Sequence, residues 1–502
     1  MIRYTPENQL SILEFKTPFK NSLSTDNRWV RLAEVVPWDE FSSRYILMMN
    51  NKLGRPGISP RIVLGALIIK HMENLDDRGV IEAIQENVYM QYFVGLTEFS
   101  TNPVFSPSLF VKIRKRVGAN LFDSLNVALI KSLCENTDKN HLSKQDNHTP
   151  NNKGKLQADA TVADQYITYP TDNGLLNTAL KKSENFIDFL YEKNNKKGVK
   201  PRTYRRTLNS KFLVYSKKKK KKRHRNMTYL LLEAVNRNLN HIDKMLTIFE
   251  QEHNFFPLSN QDQRMLWIIK HLYSQQKVMF DTKTNSHPDR LVNLYQPQVR
   301  AIPRGKTKAQ IEFGSKLGVS LDQGFARINT FSWNAYHEGK DLIPQVEAYK
   351  QLHGYYPSLV QVDKAYATRE NRNWLKERNI NITATALGRK KKINTETYYE
   401  KQKRKREAAE RNHIEGKFGQ GKNGYGLNKI RAKLKKTSES WVGCIFFIMN
   451  LINYKKKVLL CLFYNTLLKL ITLYSILRRV RNKNFFRNNR ILIFLNQYQF
   501  TF

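Results

Sequence analysis

Residues 155–164, KLQADATVAD, alternate: Leu156, Ala158, Ala160 and Val162 interleave with Gln157, Asp159 and Thr161. A period of two is the pattern of a β-strand, and here it gives a strand with one acidic face. Downstream, EFGSKLGVSL and GFARINTFSW flank a turn at Asp322 to Gly324 and read as a hairpin. A helix (DLIPQVEAYKQL), a strand (SLVQVDKAY), a second helix (TRENRNWLKERN) and a further strand (INITATA) then follow in turn. Such alternation predicts an α/β fold with a mixed sheet covered by helices.

Between the first strand and the hairpin lies a long basic section. It holds KNNKKGVKPRTYRR, the run Lys217 to Lys222, and a helical repeat of Leu232, Val235, Leu239, Ile242, Leu246 and Phe249. This predicts a basic helical insertion within the sheet domain. Ahead of the first strand, the polar stretch from Cys134 to Gly154 marks a linker. Before that, Ser59-Pro60 and Ser106-Pro107 read as N-cap and first-turn pairs. Asp76 and Asp77 read as the cap of a middle helix carrying Val80, Ile84, Val88 and Phe93. Three short helices are expected there. The third, SPSLFVKIRKRVG, offers Lys112, Arg114, Lys115 and Arg116, either as a helix-turn-helix recognition element or as a solvated basic face of a bundle. The expected division is a helical DNA-binding region at 1–135, a linker at 136–154, and the first core strand at 155–172. The insertion at 173–295, the rest of the core at 296–453 and an atypical tail at 454–502 complete it.

Charge narrows the partner. The chain has 502 residues, with 85 Lys plus Arg against 43 Asp plus Glu, a formal net charge of +42. Spread over the whole chain and flanking no single apolar span, that excess favours nucleic acid over a membrane surface. Cys134, Cys444 and Cys461 have no metal-ligand spacing, and MIRYTPENQL lacks the order of a secretory signal, so a reducing cytoplasm is expected. The apolar run from Val458 to Leu477 contains Asn465 and Lys469 and has basic residues on both sides. It reads as a terminal packing helix or a tail without native role rather than a membrane span.

Three acids fall where phosphodiester chemistry would use them: Asp159 on the first strand, Asp363 at the end of SLVQVD, and Glu415 in RNHIEGKFGQGK. On a helix, Arg411, Glu415 and Lys422 share one narrow face, so a carboxylate is flanked by two cations. Two divalent cations about 3.5–4 Å apart, held by shared carboxylates, suit such chemistry, and Mg²⁺ prefers oxygen donors. Acids on strands and helices are common, however, and Asp164, Asp172, Asp322 and Asp341 are rivals. An Arg and a Glu four residues apart are also an ordinary solvated helix pair. His413, two residues from Glu415, points elsewhere on a helix and is a surface or core histidine rather than a base. The glycines Gly416, Gly419, Gly421, Gly424 and Gly426 read as a helix-ending segment.

Longer segments carry a resemblance. LAEVVPWDEF, RPGISPRIVLGALIIKH, QADATV with YPTDNGLLN, EFGSKLGVSL, SWNAYHEGKDLIPQVEAYKQLHGYYP, VDKAYATRENRNWLKERNI, RNHIEGKFGQGKNGYGLNKIRAKL and SESWVGCIFFIMNL occur in family order between residues 27 and 453. Together they resemble a bacterial insertion-sequence transposase of the DDE type and are most similar to the insertion-sequence-five group. The resemblance implies a ribonuclease-H-like core in which Asp159, Asp363 and Glu415 are catalytic and hold two Mg²⁺, with Mn²⁺ as a substitute. It further implies that Arg411 and Lys422 position DNA phosphates. The family's signature helix reads Tyr, two residues, Arg, three residues, Glu, six residues, Lys; here Ala408 stands at the tyrosine position. Binding of terminal inverted repeats, cleavage exposing 3′ hydroxyls, strand transfer to target DNA, and a dimer or larger assembly in the bacterial nucleoid are what this family relation implies. Two other functions are compatible with the residues: a DNA-binding relic or repressor without catalysis, and a metal-dependent nuclease that does not join ends.

Overall fold

The computed structural model describes residues 15–17, 22–49, 57–138, 152–217, 221–253, 255–303, 311–384 and 397–461, with 463, 466 and 470. The chain begins with helices α1 (Arg28–Val35), α2 (Trp38–Leu47), α3 (Pro60–Met72), α4 (Gly79–Glu86), α5 (Val88–Phe93), α6 (Leu109–Val117) and α7 (Asn120–Asp138). The middle helix expected from sequence is two helices. Asn87 is extended and its Oδ1 accepts the Tyr89 and Met90 amides at 2.9 and 3.2 Å, which stops α4 and starts α5. Asp76 caps α4, accepting from Gly79 N at 2.7 Å, but Asp77 turns inward to an ion pair. The Ser106-Pro107 pair lies two residues early, since α6 opens at Leu109 with Ser108 at the N-cap.

The sheet comprises β1 (Lys155–Asp164), β2 (Arg300–Pro303), β3 (Ile311–Asp322), β4 (Phe325–Ser332), β5 (Leu359–Val362) and β6 (Asn381–Ile382). Its order is β2-β3-β1-β5-β6, with β4 also on β3. β3 runs antiparallel to β1, β2 and β4, whereas β5 is parallel to β1 and β6 parallel to β5. The β3–β4 hairpin turns at Gln323 and Gly324, both with positive φ (+47° and +82°), which glycine adopts freely. The expected strand–hairpin–helix–strand–helix–strand order is therefore present, with β2 added at the edge. Between β1 and β2, α8 (Asp172–Lys193), α9 (Arg205–Lys217), α10 (Lys221–His253) and α11 (Asn260–Asp281) form the helical insertion around their own apolar cluster. Residues 218–220, in the middle of the lysine run, lie outside the described residues.

The period of two in β1 has the predicted consequence. Leu156 and Ala158 pack with Val360 and Val362 of β5 against α12 (Leu342–His353) and α13 (Arg369–Glu377). Gln157, Asp159 and Thr161 face the other side, where α14 (Tyr398–Gly424) crosses β1 and β5. Beyond it, the helix over residues 435–461, α15, is buried on two faces. Val442, Ile445, Phe446 and Met449 pack toward the sheet, and Cys444, Phe447, Ile448 and Leu451 toward the N-terminal helices. Both sets recur at i, i+3, i+4 and i+7, so one helix serves two cores and joins the bundle to the sheet. Among the described residues, no helix is long and apolar enough to cross a membrane. Most of the Val458–Leu477 run lies outside them.

Candidate active site

Asp159 sits midway along β1, Asp363 just after β5, and Glu415 in the second half of α14. Parallel pairing of β1 and β5 matches Gln157 with Gln361, so each aspartate stands two residues beyond a paired position on the same face. α14 lies over that face and brings Glu415 to it. All three acids line one cavity of about 470 Å³, together with Arg411, Lys422, Lys316 and Glu338. The rivals are held elsewhere. Asp172 pairs with Arg290 at 2.6 Å, Asp322 with His353 at 2.7 Å, and Asp341 takes hydrogen bonds from the Tyr336 and Thr330 hydroxyls. Asp164 lies 3.9 Å from Lys422 but does not line the cavity.

Local backbone contacts fix the two aspartates. Asp159 Oδ1 accepts the Ala160 amide at 2.8 Å, and Asp363 Oδ1 the Lys364 amide at 2.7 Å, where a short 3₁₀ turn (Lys364–Tyr366) begins. Burial, opposed by the Ala160 amide and reinforced by the neighbouring Glu338 carboxylate, pushes the Asp159 carboxyl up to about 6. Arg411 lowers it and Glu415 raises it by smaller amounts. The shift thus comes first from burial, with the neighbouring carboxylates adding to it. Directly behind it, Tyr366 is fully buried and its hydroxyl has no partner among the described residues; burial and the nearby carboxylates hold that hydroxyl protonated.

Among the described residues, no three His, Cys, Asp or Glu side chains stand close enough to hold a metal ion as they are. The donor set is nevertheless all carboxylate oxygen, which suits a hard divalent cation and not zinc. Several carboxylates gathered around a half-buried Asp159, with Glu338 and Glu415 each in contact with a cation, are an environment that such a cation would relieve.

The cations differ from expectation in their partners. Arg411 reaches Glu415 only at 3.5 Å, a loose contact on the cavity wall. Lys422 is engaged by Glu312 at 3.1 Å, so the structure gives it an acidic partner on β3. Ala408 is exposed on α14. His413 faces a second cavity with Lys155, Gln157, Glu410 and Lys417, away from the acids. The helix ends within the glycine segment, as expected: α14 runs through Gly416, Gly419 and Gly421 and stops at Gly424, Gly426 has positive φ, and Gly421 lets the helix approach Leu427 and Met449, where a Cβ would come within 3.2 and 3.3 Å. In the bundle, Lys112, Lys115 and Arg116 are exposed on α6. Arg114 is not: it is buried, binds both oxygens of Asp77 at 2.8 and 2.6 Å, and lies over the Trp441 ring. Helical spacing places it on the face opposite Lys112, Lys115 and Arg116, toward the core.

Sequence reasoning missed Glu338 and its partner Lys316, 2.9 Å apart. Lys316 belongs to a segment read as a strand and Glu338 to one quoted only for the resemblance, and nothing in their spacing to Asp159 signals a contact that depends on the β1–β3 ladder. Gln157 and Gln361 were legible in principle, because each sits at i−2 from an acid on an alternating strand.

Residues 17–116 match the family described as "Transposase domain (DUF772)", and residues 360–452 match the family described as "Transposase DDE domain". The second match spans Asp363, Arg411, Glu415 and Lys422. Over 152 residues the chain is 29% identical to an uncharacterized protein of Rhizobium meliloti, ORF8 in the nfe locus; this covers 30% of the chain and 69% of that protein. No solved structure matches the chain. A transposase-domain match in the N-terminal helices and a DDE-domain match over two of the three cleft acids together support an insertion-sequence transposase of the DDE type.

Proposed function

We propose that this transposase binds the terminal inverted repeats of its own element, cuts phosphodiester bonds to expose 3′ hydroxyls, and joins them to target DNA. The observation that carries the reading is convergence: acids from a strand interior, a strand end and a helix, far apart in sequence, line one cavity. Asp159, Asp363 and Glu415 would hold Mg²⁺ or Mn²⁺. When bound, such a cation supplies charge stabilisation to the attacked phosphate and to the attacking and leaving oxygens.

The chain's own residues do the rest. Asp159, buried at the end of the cleft, provides a negative centre that is strongest above about pH 6. Arg411 on the wall offers guanidinium donors to a phosphate, and its loose contact with Glu415 leaves it available. Lys422 can reach DNA only by exchanging Glu312 for phosphate. Lys112, Lys115 and Arg116 on α6 give the N-terminal helices an exposed basic edge for end recognition, and the insertion adds positive charge.

The strand order supports a ribonuclease-H-like core: three antiparallel strands (β1, β3, β4) and two parallel ones (β5, β6) added on the other side of β1. The insertion-sequence-five relationship, a dimer or larger complex on paired ends, a bacterial cytoplasmic setting, and the 1–135, 136–154, 155–172, 173–295, 296–453 and 454–502 division belong to the same proposal. Its test is Mg²⁺-dependent cleavage and strand joining on DNA carrying the element's ends, with Asp363→Ala as comparison. Loss of cleavage with retained binding supports it. Binding without cleavage by both proteins, under permissive metal and salt, would give the relic or repressor reading; cleavage without joining would give the nuclease.

A further inference from the structure

A second polar layer adjoins the acid cleft and ties its three elements together. Gln157 and Gln361 are paired across β1 and β5, each two residues before its strand's aspartate, so glutamines and aspartates form consecutive rungs of one sheet face. Gln157 Nε2 donates to Gln361 Oε1 at 2.8 Å and to the Glu410 carbonyl of α14 at 2.8 Å. Gln361 Nε2 donates to the Glu407 carbonyl at 3.2 Å and to Glu410 Oε2 at 3.1 Å. Lys155, one rung further along, pairs with the same carboxylate at 2.7 Å. Both glutamines are buried, at 8% and 0% exposure.

We infer that Gln157 and Gln361 are positioning residues that set the register of α14 on β1 and β5, and so hold Glu415 over Asp159 and Asp363. The inference rests on reading those acids as the cation-binding set. Apolar contact between a helix and a sheet is non-directional and tolerates sliding or rotation. Rotation by one residue, about 100° in a 3.6-residue turn, would carry Glu415 off the cleft. Amide donors are directional, and a buried one left unmatched is costly, so the observed register is the one that matches the Nε2 donors of both glutamines, although Gln157 Oε1 has no partner among the described residues. A carbonyl has two lone pairs, so Glu407 and Glu410 can accept these donors while remaining in the helical ladder.

The test uses the full chain with Q157L/Q361L, near-isosteric and without donors, and with Glu410→Ala, which removes the half-buried anchor. Mn²⁺ binding is measured by electron paramagnetic resonance titration with a short duplex present, alongside melting temperature and duplex affinity. The expected result for the double variant is a folded protein, duplex affinity within about twofold, and Mn²⁺ affinity about 10–100-fold weaker, the range seen when groups behind metal ligands are removed. Cleavage lost at limiting Mn²⁺ returns when Mn²⁺ is raised. Glu410→Ala weakens Mn²⁺ binding in the same direction but by less than the double variant, and decides the matter alone if the double variant does not fold. Unchanged Mn²⁺ affinity in folded variants, with Asp363→Asn abolishing binding, overturns the clamp and leaves the acid site standing. Absence of Mn²⁺ binding by the parent overturns both.

Discussion

Two charged clusters in this protein are built on opposite principles. In the N-terminal bundle, Lys70 and Arg114, exposed by 1% and 6% at the side chain, close on Asp77 at 3.0 and 2.6 Å. Both cations also lie over the Trp441 ring of α15, at 4.6 and 5.3 Å. Hydrogen bonds and cations overcome burial and hold the Asp77 carboxyl below its usual range, while burial holds the adjacent His71 neutral, down to about 3. In the sheet cleft, burial wins and the Asp159 carboxyl moves the other way, to about 6. A closed cluster satisfies its charges internally and serves the fold. An open one holds its carboxylates on a cavity wall with looser cation contacts, where a ligand of opposite sign can reach them.

If that contrast is right, deleting one acid has different consequences in the two places. Glu415→Gln should cost cleavage of end-bearing DNA about a thousandfold, about 4 kcal/mol of transition-state stabilisation, with folding unchanged. Quantifying nicked product under single-turnover conditions checks this, and cleavage within tenfold of the parent breaks the functional half of the comparison. Asp77→Ala should instead lower stability by about 3 kcal/mol, because it strands two buried cations. Urea unfolding reads it, and a loss below about 1 kcal/mol would mean that the cluster is not closed.

Asp159 sharpens the comparison through pH. Its folded-state pKa lies above the ordinary carboxylate value, so the group stabilises the protein when protonated, and that contribution is lost as pH rises from about 4 to about 6. At pH 7 without divalent cation the ionised carboxylate is a net cost. Asp159→Asn keeps an acceptor for the Ala160 amide and removes the charge, and should raise stability by about 2 kcal/mol at pH 7 but not at pH 4. Thermal melts at the two pH values measure it; equal effects at both would remove the electrostatic explanation.

How far the sequence reveals all this depends on the range of each interaction. Alternation in KLQADATVAD and SLVQVD is local, and it correctly puts Gln157, Asp159, Gln361 and Asp363 on one face, opposite Leu156, Ala158, Val360 and Val362. Helical spacing likewise brings Arg411 toward Glu415. Contacts that close in three dimensions leave no such trace. The Lys422–Glu312 pair spans α14 and β3, Glu338 reaches the cleft from a second 3₁₀ turn (Glu338–Asp341), and the two-faced burial of α15 depends on a bundle hundreds of residues earlier. The split at Asn87 fell below the resolution of a periodic pattern, since Val80 to Phe93 keep near-helical spacing through the break.

The smallest effect tests both principles within one helix. α6 carries Arg114 inward to Asp77 and presents Lys112, Lys115 and Arg116 to solvent. Such neighbours would be equivalent in any count of positive charge, yet they should behave differently. Replacing Lys112, Lys115 or Arg116 by Ala should leave stability within about 0.5 kcal/mol, as at ordinary exposed positions. Each replacement that removes a phosphate contact should reduce the slope of log affinity against log salt by about 1. Arg114→Met should do the reverse, lowering stability with the slope unchanged, because a buried cation whose two terminal nitrogens are held by Asp77 has no counterion to exchange for DNA. Fluorescence anisotropy on an end-bearing duplex across a salt series separates the two. A slope change for Arg114→Met equal to that for Arg116→Ala, in a protein that remains folded, would show that burial by Asp77 and Trp441 does not hold when DNA binds.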